Sequence, residues 1–312
     1  MPPVAAIGID LGGTKLQGVR LHGHEVEQDA RVVTPDAGVE AVVAAIAGLV
    51  EELGGLPKSG TIGIGVPGAV DADTGEVRRA PNLAGFDERV PLATLVAEAT
   101  GADRVVLDND VNVATLAEHR LGAAKGADHV LAVFVGTGVG GGLVVDGEVH
   151  RGVTGAAGEI GHMVVEVELG RRCGCGLAGH VEAYAGRASI EREARRRHAE
   201  GEATVLVELA GDGRMRSSVL AKALEAGDTM AIELLDEAVR ALGAGIASAV
   251  TLLDLPLVVV GGGVADKLGP AFVGRIEEAV RSRLFLPSSP VRVVPAELGD
   301  LAGAIGAALL AD

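Results

Sequence analysis

The sequence predicts an α/β protein of two lobes with a cleft between them. Three observations lead there. Apolar strand-like runs alternate with segments of helical period along the chain, the pattern of strands covered by helices. A plan of apolar strand, Gly/Thr turn and second apolar strand occurs twice, in "AAIGIDLGGTKLQGVRLHGHEV" at 5–26 and in "VLAVFVGTGVGGGLVVDGEV" at 130–149. No low-complexity linker separates the two copies, so a boundary between lobes must fall inside compact structure. A length of 312 residues is enough for two such domains.

Residues 5–26 read as a hairpin turning at 11–14. Residues 38–53 read as a helix with Val42, Ile46, Leu49, Val50 and Leu53 on one face and a Gly-Gly stop behind it. "TIGIGVPGAVD" is a buried strand ending in a Pro-Gly turn, and "RVVLDND" is another strand. "VNVATLAEHRLG" is a helix closed by Gly122. After the second hairpin come helices from Glu182 to His198 and from Thr229 to about Leu253. A buried strand "PLVVV" runs into "GGG" at 261–263, and strand "VRVVP" and a helix over 300–311 close the chain.

Composition narrows the function. Hydrophobic residues make up 48% of the chain, but Trp is absent and Tyr occurs once, which predicts an aliphatic core and little binding by ring stacking. The 27 basic and 43 acidic residues leave a net charge of −16, which repels nucleic-acid backbones and anionic lipid alike. The start "MPPVAAIGID" lacks the basic region of a secretory leader, and no stretch reads as a membrane span. A cytoplasmic protein with reduced thiols is expected, partnered by neither nucleic acid nor membrane.

Glycine-rich turns after buried strands are candidate phosphate cradles, because bare backbone N–H groups can converge on an anion. No G-x-x-x-x-G-K-[ST] occurs, which excludes a P-loop. Residues 136–141 match G-x-G-x-x-G, but they lead into a strand, whereas a dinucleotide fingerprint must open a helix. There remains a pair of hairpin tips, Asp10-x-Gly12-Gly13-Thr14 and Gly136-Thr137-Gly138. Both can be plain tight turns. Together they can also clasp a polyphosphate, with Asp10 placed to hold hydrated Mg²⁺.

Two further stretches carry polar groups. "LDNDVN" puts Asp108, Asn109, Asp110 and Asn112 where a strand passes into a helix, and both capping and a binding role fit. "CGCGLAGH" holds the only two cysteines, Cys173 and Cys175. A disulfide across one residue is awkward, which leaves reduced bystander thiols and half of a metal site as open readings.

"IGIDLGGTK", "GIGVPGAVD", "NDVNVATLAEHRLG", "FVGTGVGGG", "GAAGEIGHM", "CGCGLAGHVE" and "VVVGGG", in this order, resemble the ROK-family sugar kinases over nearly the whole chain. That family belongs to the actin/hexokinase/Hsp70 superfamily, so the resemblance implies an actin-like, ribonuclease H-like fold. It implies a small lobe of residues 1–112 joined by the C-terminal helix at about 300–312, and a large lobe of 113–299 with a zinc-binding segment. It also implies an ATP- and Mg²⁺-dependent kinase that phosphorylates a hexose at its 6-hydroxyl, glucose being favoured.

By the same resemblance Asp110 is the base that accepts the hydroxyl proton. Asn109, Asp110, Glu159, His162 and Glu182 hold the sugar, with the loops at Gly68 and Asn82 nearby. Asp10, Gly12, Gly13, Thr14, Lys15, Gly136, Thr137 and Gly138 hold the phosphates and magnesium, with adenosine near Gly262 and Gly263. His162, Cys173, Cys175 and His180 form a structural zinc site in which His180 stands where the family pattern has a third cysteine. A Cys₂His₂ shell is still tetrahedral and formally neutral. His162 then binds metal through one nitrogen and a sugar hydroxyl through the other. A homodimer or homotetramer is expected from the family alone.

Fructose, mannose, an N-acetylated hexosamine, or polyphosphate as donor would suit the same fold. A sugar-sensing repressor would need a DNA-reading module, and only nine residues precede Asp10. An Hsp70-like ATPase would need neither the sugar ligands nor the zinc set.

Overall fold

The computed structural model describes residues 5–57, 60–80 and 82–311. The first four residues of the start "MPPVAAIGID" lie outside the described residues. The first stretch of chain gives β1 (Ala5–Leu11), β2 (Lys15–His22), β3 (Glu25–Val33) and α1 (Val39–Glu52). It continues through β4 (Thr61–Val66), β5 (Ala69–Asp71), β6 (Glu76–Arg79), α2 (Leu92–Thr100), β7 (Arg104–Asn109) and α3 (Asp110–Arg120). The second hairpin is β8 (Val130–Val135) and β9 (Val139–Val145), followed by the short β10 (Glu148–Val149). Then come α4 (Glu182–Ala185), α5 (Arg187–Ala199), α6 (Val205–Ala210), α7 (Ser217–Glu225) and α8 (Thr229–Leu253). The chain ends with β11 (Leu257–Gly261), α9 (Gly263–Leu268), α10 (Pro270–Arg281), β12 (Arg292–Pro295) and α11 (Ala302–Ala311).

The two sheets repeat one plan. The first runs β3-β2-β1-β4-β7 and the second β10-β9-β8-β11-β12. In each, an antiparallel hairpin (β1 with β2, β8 with β9) feeds two parallel neighbours. The parallel strands are short β-branched runs buried on both faces: every residue of β4 and of β11 is buried, as crossover packing requires.

The chain divides into one unit of residues 1–126, 149–157 and 300–312 and another of 127–148 and 158–299. A boundary at 112/113, as expected from sequence, would cut α3. That helix stays whole because it packs along α11 in the first unit. Each unit has its own core. In the first, Ile7, Ile9, Leu11, Ile62, Ile64 and Leu107 from the sheet pack with Val42, Ile46 and Leu49 of α1. In the second, Val133, Val258 and Val260 pack with Leu234, Leu242 and Ile246 of α8.

Helix α11 lies very close on the first sheet. A Cβ at Gly8 or Gly63 would strike the carbonyls of Ala304 and Ala307, and one at Gly306 would strike that of Val113 in α3. Such an approach admits no side chain, hence glycine on both surfaces. Helix α8 begins at Asp228, whose carboxylate accepts the Ala231 N–H at 2.8 Å, and ends at Asp254 in the left-handed conformation.

Two local expectations change. Gly122 does not adopt the left-handed cap; α3 ends at Arg120 with Leu121 as its C-cap, and a Cβ at 122 would collide with the Glu118 carboxylate instead. The helix expected from Glu182 to His198 is two, broken at Gly186, whose φ of −66° and ψ of 132° are extended. Among the described residues no helix is long and apolar enough to cross a membrane.

Candidate active site

In the first unit the site is built at the ends of β1 and β7. The β1–β2 turn is closed by Gly12 N–H on the Lys15 carbonyl at 2.9 Å. Thr34 ties the tip down: its hydroxyl donates to Gly12 O at 2.6 Å and its N–H to Thr14 O at 3.2 Å. The Gly12 and Thr14 carbonyls are thereby occupied. Gly13 must be glycine, since a Cβ there would come 2.8 Å from Asn82 O. Lys15 Nζ reaches Gln17 Oε1 at 3.0 Å and Asp300 Oδ2 at 3.1 Å.

Asp10 is half-buried and packs on Gly303, where a Cβ would approach its Cγ to 2.8 Å. Its pKa is pushed up to about 7, first by burial and then by the charge of Asp110, with Lys15 opposing and Asp300 adding to the rise. Asp10 and Asp110, with Asp300 and the single lysine Lys15 as the other charges acting on Asp10, form a donor set short of positive charge, which fits a hard cation.

The "LDNDVN" residues divide between two tasks. Asp108 is buried and structural: it accepts Arg151 Nε at 2.7 Å and Nη2 at 2.6 Å, Asn112 Nδ2 at 3.0 Å and the Asn109 N–H at 2.8 Å. Asn109 caps α3, its Oδ1 accepting from Val111 and Asn112 N–H at 2.9 and 3.3 Å while Nδ2 donates to Gly68 O at 3.1 Å. Capping therefore does occur, and it is done by Asn109. Asp110 is the first helical residue and is half-buried, with Oδ1 3.0 Å from the Val111 N–H.

In the second unit the β8–β9 tip is likewise held by backbone bonds. Gly136 N–H closes on Gly138 O at 2.9 Å, and the first amides of α5, from Arg187 and Ala188, donate to Gly136 O and Thr137 O at 3.1 and 3.0 Å. Glu182 lies under this tip. Its Oε2 accepts the Val139 N–H at 3.1 Å, so close to Gly138 that no Cβ fits there, and its Oε1 accepts from Cys173 Sγ at 3.3 Å. Gly262, with φ of +87°, rests on the Val135 backbone at the end of β8, and Gly263 opens α9.

Glu159 precedes the one-turn 3₁₀ helix Ile160–His162. Its pKa is raised, chiefly by desolvation of the carboxyl, with His162 lowering it and Glu182 raising it further.

The two cysteines belong to a cluster of side chains that could hold a metal ion. Donor atoms of His162, Cys173, Cys175 and His180 all lie within 4.8 Å of one another. His162 Nδ1 and His180 Nδ1 are 3.4 Å apart, Cys173 Sγ is 3.8 Å from His162 Nδ1, and Cys175 Sγ is 3.4 Å from His180 Nδ1. Tetrahedral zinc, with Zn–S of about 2.3 Å and Zn–N of about 2.0–2.1 Å, asks for N···N near ~3.4 Å and S···N near ~3.6 Å. The residues fit that metal. A compact knuckle presents them: Cys173 N–H bonds Leu177 O at 2.7 Å, and isolated bridges join Arg172 to Ala178 and Val164 to His180. Burial pushes the Cys173 thiol up to about 12 in the metal-free protein, so a metal must displace a tightly held proton there.

Three residues of these sites carry no signal in the sequence: Arg151, Gly303 and Arg187. Each is defined by a partner dozens or hundreds of positions away, as Arg151 is by Asp108 and Gly303 by Asp10.

A sequence profile described as "ROK family" matches residues 6–312. A glucokinase of Thermotoga maritima is 35% identical over 242 residues, covering 77% of this chain and 75% of that protein. A glucokinase of Streptomyces coelicolor is 35% identical over 312 residues, 98% of this chain and 96% of that one. Among solved structures, a ROK family glucokinase from Streptomyces griseus in complex with glucose and AMPPNP superposes with a TM-score of 0.83 at 34% identity, over 98% of this chain and 99% of that chain.

Proposed function

The chain belongs to the ROK family, and from that premise we propose that it is an ATP- and Mg²⁺-dependent hexose kinase converting glucose to glucose 6-phosphate. One observation carries the reading: Asp10, whose carboxyl feels the charge of Asp110, stands near the end of the strand that leads into a glycine hairpin with the Gly12 and Thr14 carbonyls already tied down. A hairpin so arranged offers amides and hydroxyls to an anion, and the two acids divide cation binding from proton acceptance. The family's glucokinases, one of them solved with glucose and AMPPNP, support glucose as acceptor and ATP as donor.

Asp110 accepts the proton of the sugar 6-hydroxyl as that oxygen attacks the γ-phosphorus. A carboxylate is a weak base, which suffices because the hydroxyl turns acidic late in a loose transition state. Asn109, Glu159, His162 and Glu182 orient the sugar, each carboxylate and imidazole accepting or donating to a hydroxyl. The amides of Gly13, Thr14, Thr137 and Gly138 and the Lys15 ammonium align the phosphates, on turns that the Gly12 and Gly136 amides close internally, with adenosine at Gly262 and Gly263. Alignment and charge neutralisation supply most of the acceleration. Asp10 would hold magnesium through its hydration shell, and the ion would neutralise charge on the transferring phosphoryl group. His162, Cys173, Cys175 and His180 would hold zinc, whose part is to fix the wall on which His162 Nε2 and Glu159 meet the sugar. The reading carries with it a cytoplasmic, glycolytic enzyme assembled as a homodimer or homotetramer.

The test is Asp110→Ala assayed by coupled turnover, with glucose and nucleotide binding measured on the same preparation. Loss of roughly 10²–10⁴-fold in kcat with both ligands still bound is the expected result; undiminished turnover would overturn the reading. A panel of glucose, fructose, mannose and N-acetylated hexosamines, with ATP or polyphosphate, defines acceptor and donor.

A further inference from the structure

The second hairpin tip has a cation that no motif announces. Arg187, first residue of α5, donates from Nη2 to the Thr137 hydroxyl at 2.8 Å and from Nη1 to the Met215 carbonyl. Its backbone N–H and that of Ala188 cover the carbonyls of Gly136 and Thr137. The close fit is enforced at Gly186, where a Cβ would stand 3.2 Å from Gly138 Cα.

The bonding leaves donors only. With the tip's carbonyls covered, the amides of Thr137 and Gly138 have no partner among the described residues, and two of the five guanidinium N–H groups of Arg187 are engaged. The helix amides at 187 and 188 are consumed by the hairpin, so the guanidinium and not the helix terminus is the group an anion would meet. Burial depresses the Arg187 pKa, Glu191 opposes this, and the neighbouring positive Arg214 deepens it. A guanidinium fixed on the Thr137 hydroxyl beside two unpartnered turn amides, in a chain of net charge −16, marks a place suited to a strongly anionic group.

We infer that Arg187 is a nucleotide-binding residue that holds the polyphosphate tail of the donor at the Gly136–Gly138 tip, its contact with Thr137 setting the direction of the guanidinium fork. This deepens the kinase reading and rests on ATP as the donor. A structural role for Arg187, tying α5 and Met215 to the hairpin, is the competing account, and the two part on which ligand the loss discriminates.

The experiment is equilibrium titration of wild type and Arg187→Gln with MgADP and with adenosine, beside steady-state kinetics. The expected result is an affinity for MgADP, and an apparent KM for ATP, weakened by about 10- to 100-fold. Adenosine binding and the sugar KM should stay within about twofold, the spread left when a contact to the phosphates alone is lost. Equal losses for MgADP and adenosine, no loss for either, or a wild type that binds both alike, would overturn the inference. Should Arg187→Gln fail to fold, Arg187→Lys replaces it: a point charge lacks the fork, so MgADP must again lose more than adenosine. A wild type that phosphorylates no sugar but loses MgADP selectively on substitution would sink the kinase reading and leave this one standing.

Discussion

Asp10 and Asp110 face each other's charge, and that sets a pH dependence. Asp10 titrates at about 7 in the folded chain, against about 3.9 for an unfolded aspartate. Between those values the folded state holds a proton that the unfolded state has shed, so stability falls as pH rises through the window. Asp10→Asn removes the burden. The variant should lose Mg²⁺-dependent turnover while its melting temperature, relative to wild type, rises on going from pH 5 to pH 8. A constant difference across that range would show that Asp10 is not protonated as stated. For the wild type, a cation binding at Asp10 must displace the proton, so MgATP binding near pH 6 should release protons. Calorimetry in two buffers of different ionisation heat reads this directly. At this scale the sequence marks residues whose roles are local: Asp10 at a strand end, two cysteines one residue apart. It is silent on Arg151 and Arg187, because their partners Asp108 and Thr137 lie 43 and 50 positions away.

The repeated hairpin is the element most readable from sequence. Its apolar alternation and Gly/Thr turn are local signals, and both copies form as expected. Helix α8 is legible too, since an Asp cap and a long apolar face need no partner to be recognised. The break at Gly186 is not, because there the amides of Arg187 and Ala188 turn to the carbonyls of Gly136 and Thr137, a tertiary contact. The same reasoning governs α11. Its run of small residues reads only as a helix, yet Gly306 is where it crosses α3 and Gly63 is where β4 receives it. Gly306→Ala should therefore destabilise the protein by at least ~1–3 kcal/mol through overpacking, although alanine is the better helix former by about 1 kcal/mol. Denaturant titration checks the sign. A stabilised variant would mean that the helix can slide, and that the position of Gly303 against Asp10 is not fixed by packing.

At the scale of the whole molecule the sequence shows two lobes but misplaces their boundary, because position 112 sits inside a helix whose packing partner, α11, is nearly two hundred residues away. The two units have separate cores, and only the second contains the cysteine and histidine donors. Stripping metal should act accordingly. The knuckle of 173–180 is held by short backbone bonds and four donor side chains, with Cys173 and His180 buried. Without the ion, two imidazoles and two thiols are left within 4.8 Å of one another with weak hydrogen bonds as their only compensation. Metal chelation should expose the backbone of 159–182 to hydrogen exchange, and the loss of protection should pass to the β8–β9 turn through Glu182, which bonds Cys173 and Val139 at once. The sugar KM should rise, because His162 and Glu159 lose their fixed wall. Strands β1 and β4 and helix α11 belong to the other core and should keep their protection. Hydrogen exchange by mass spectrometry, before and after chelation and again after zinc is restored, separates these segments. Protection lost throughout the chain would mean the units unfold as one, and protection unchanged in 159–182 would mean that the four donors hold no metal in solution.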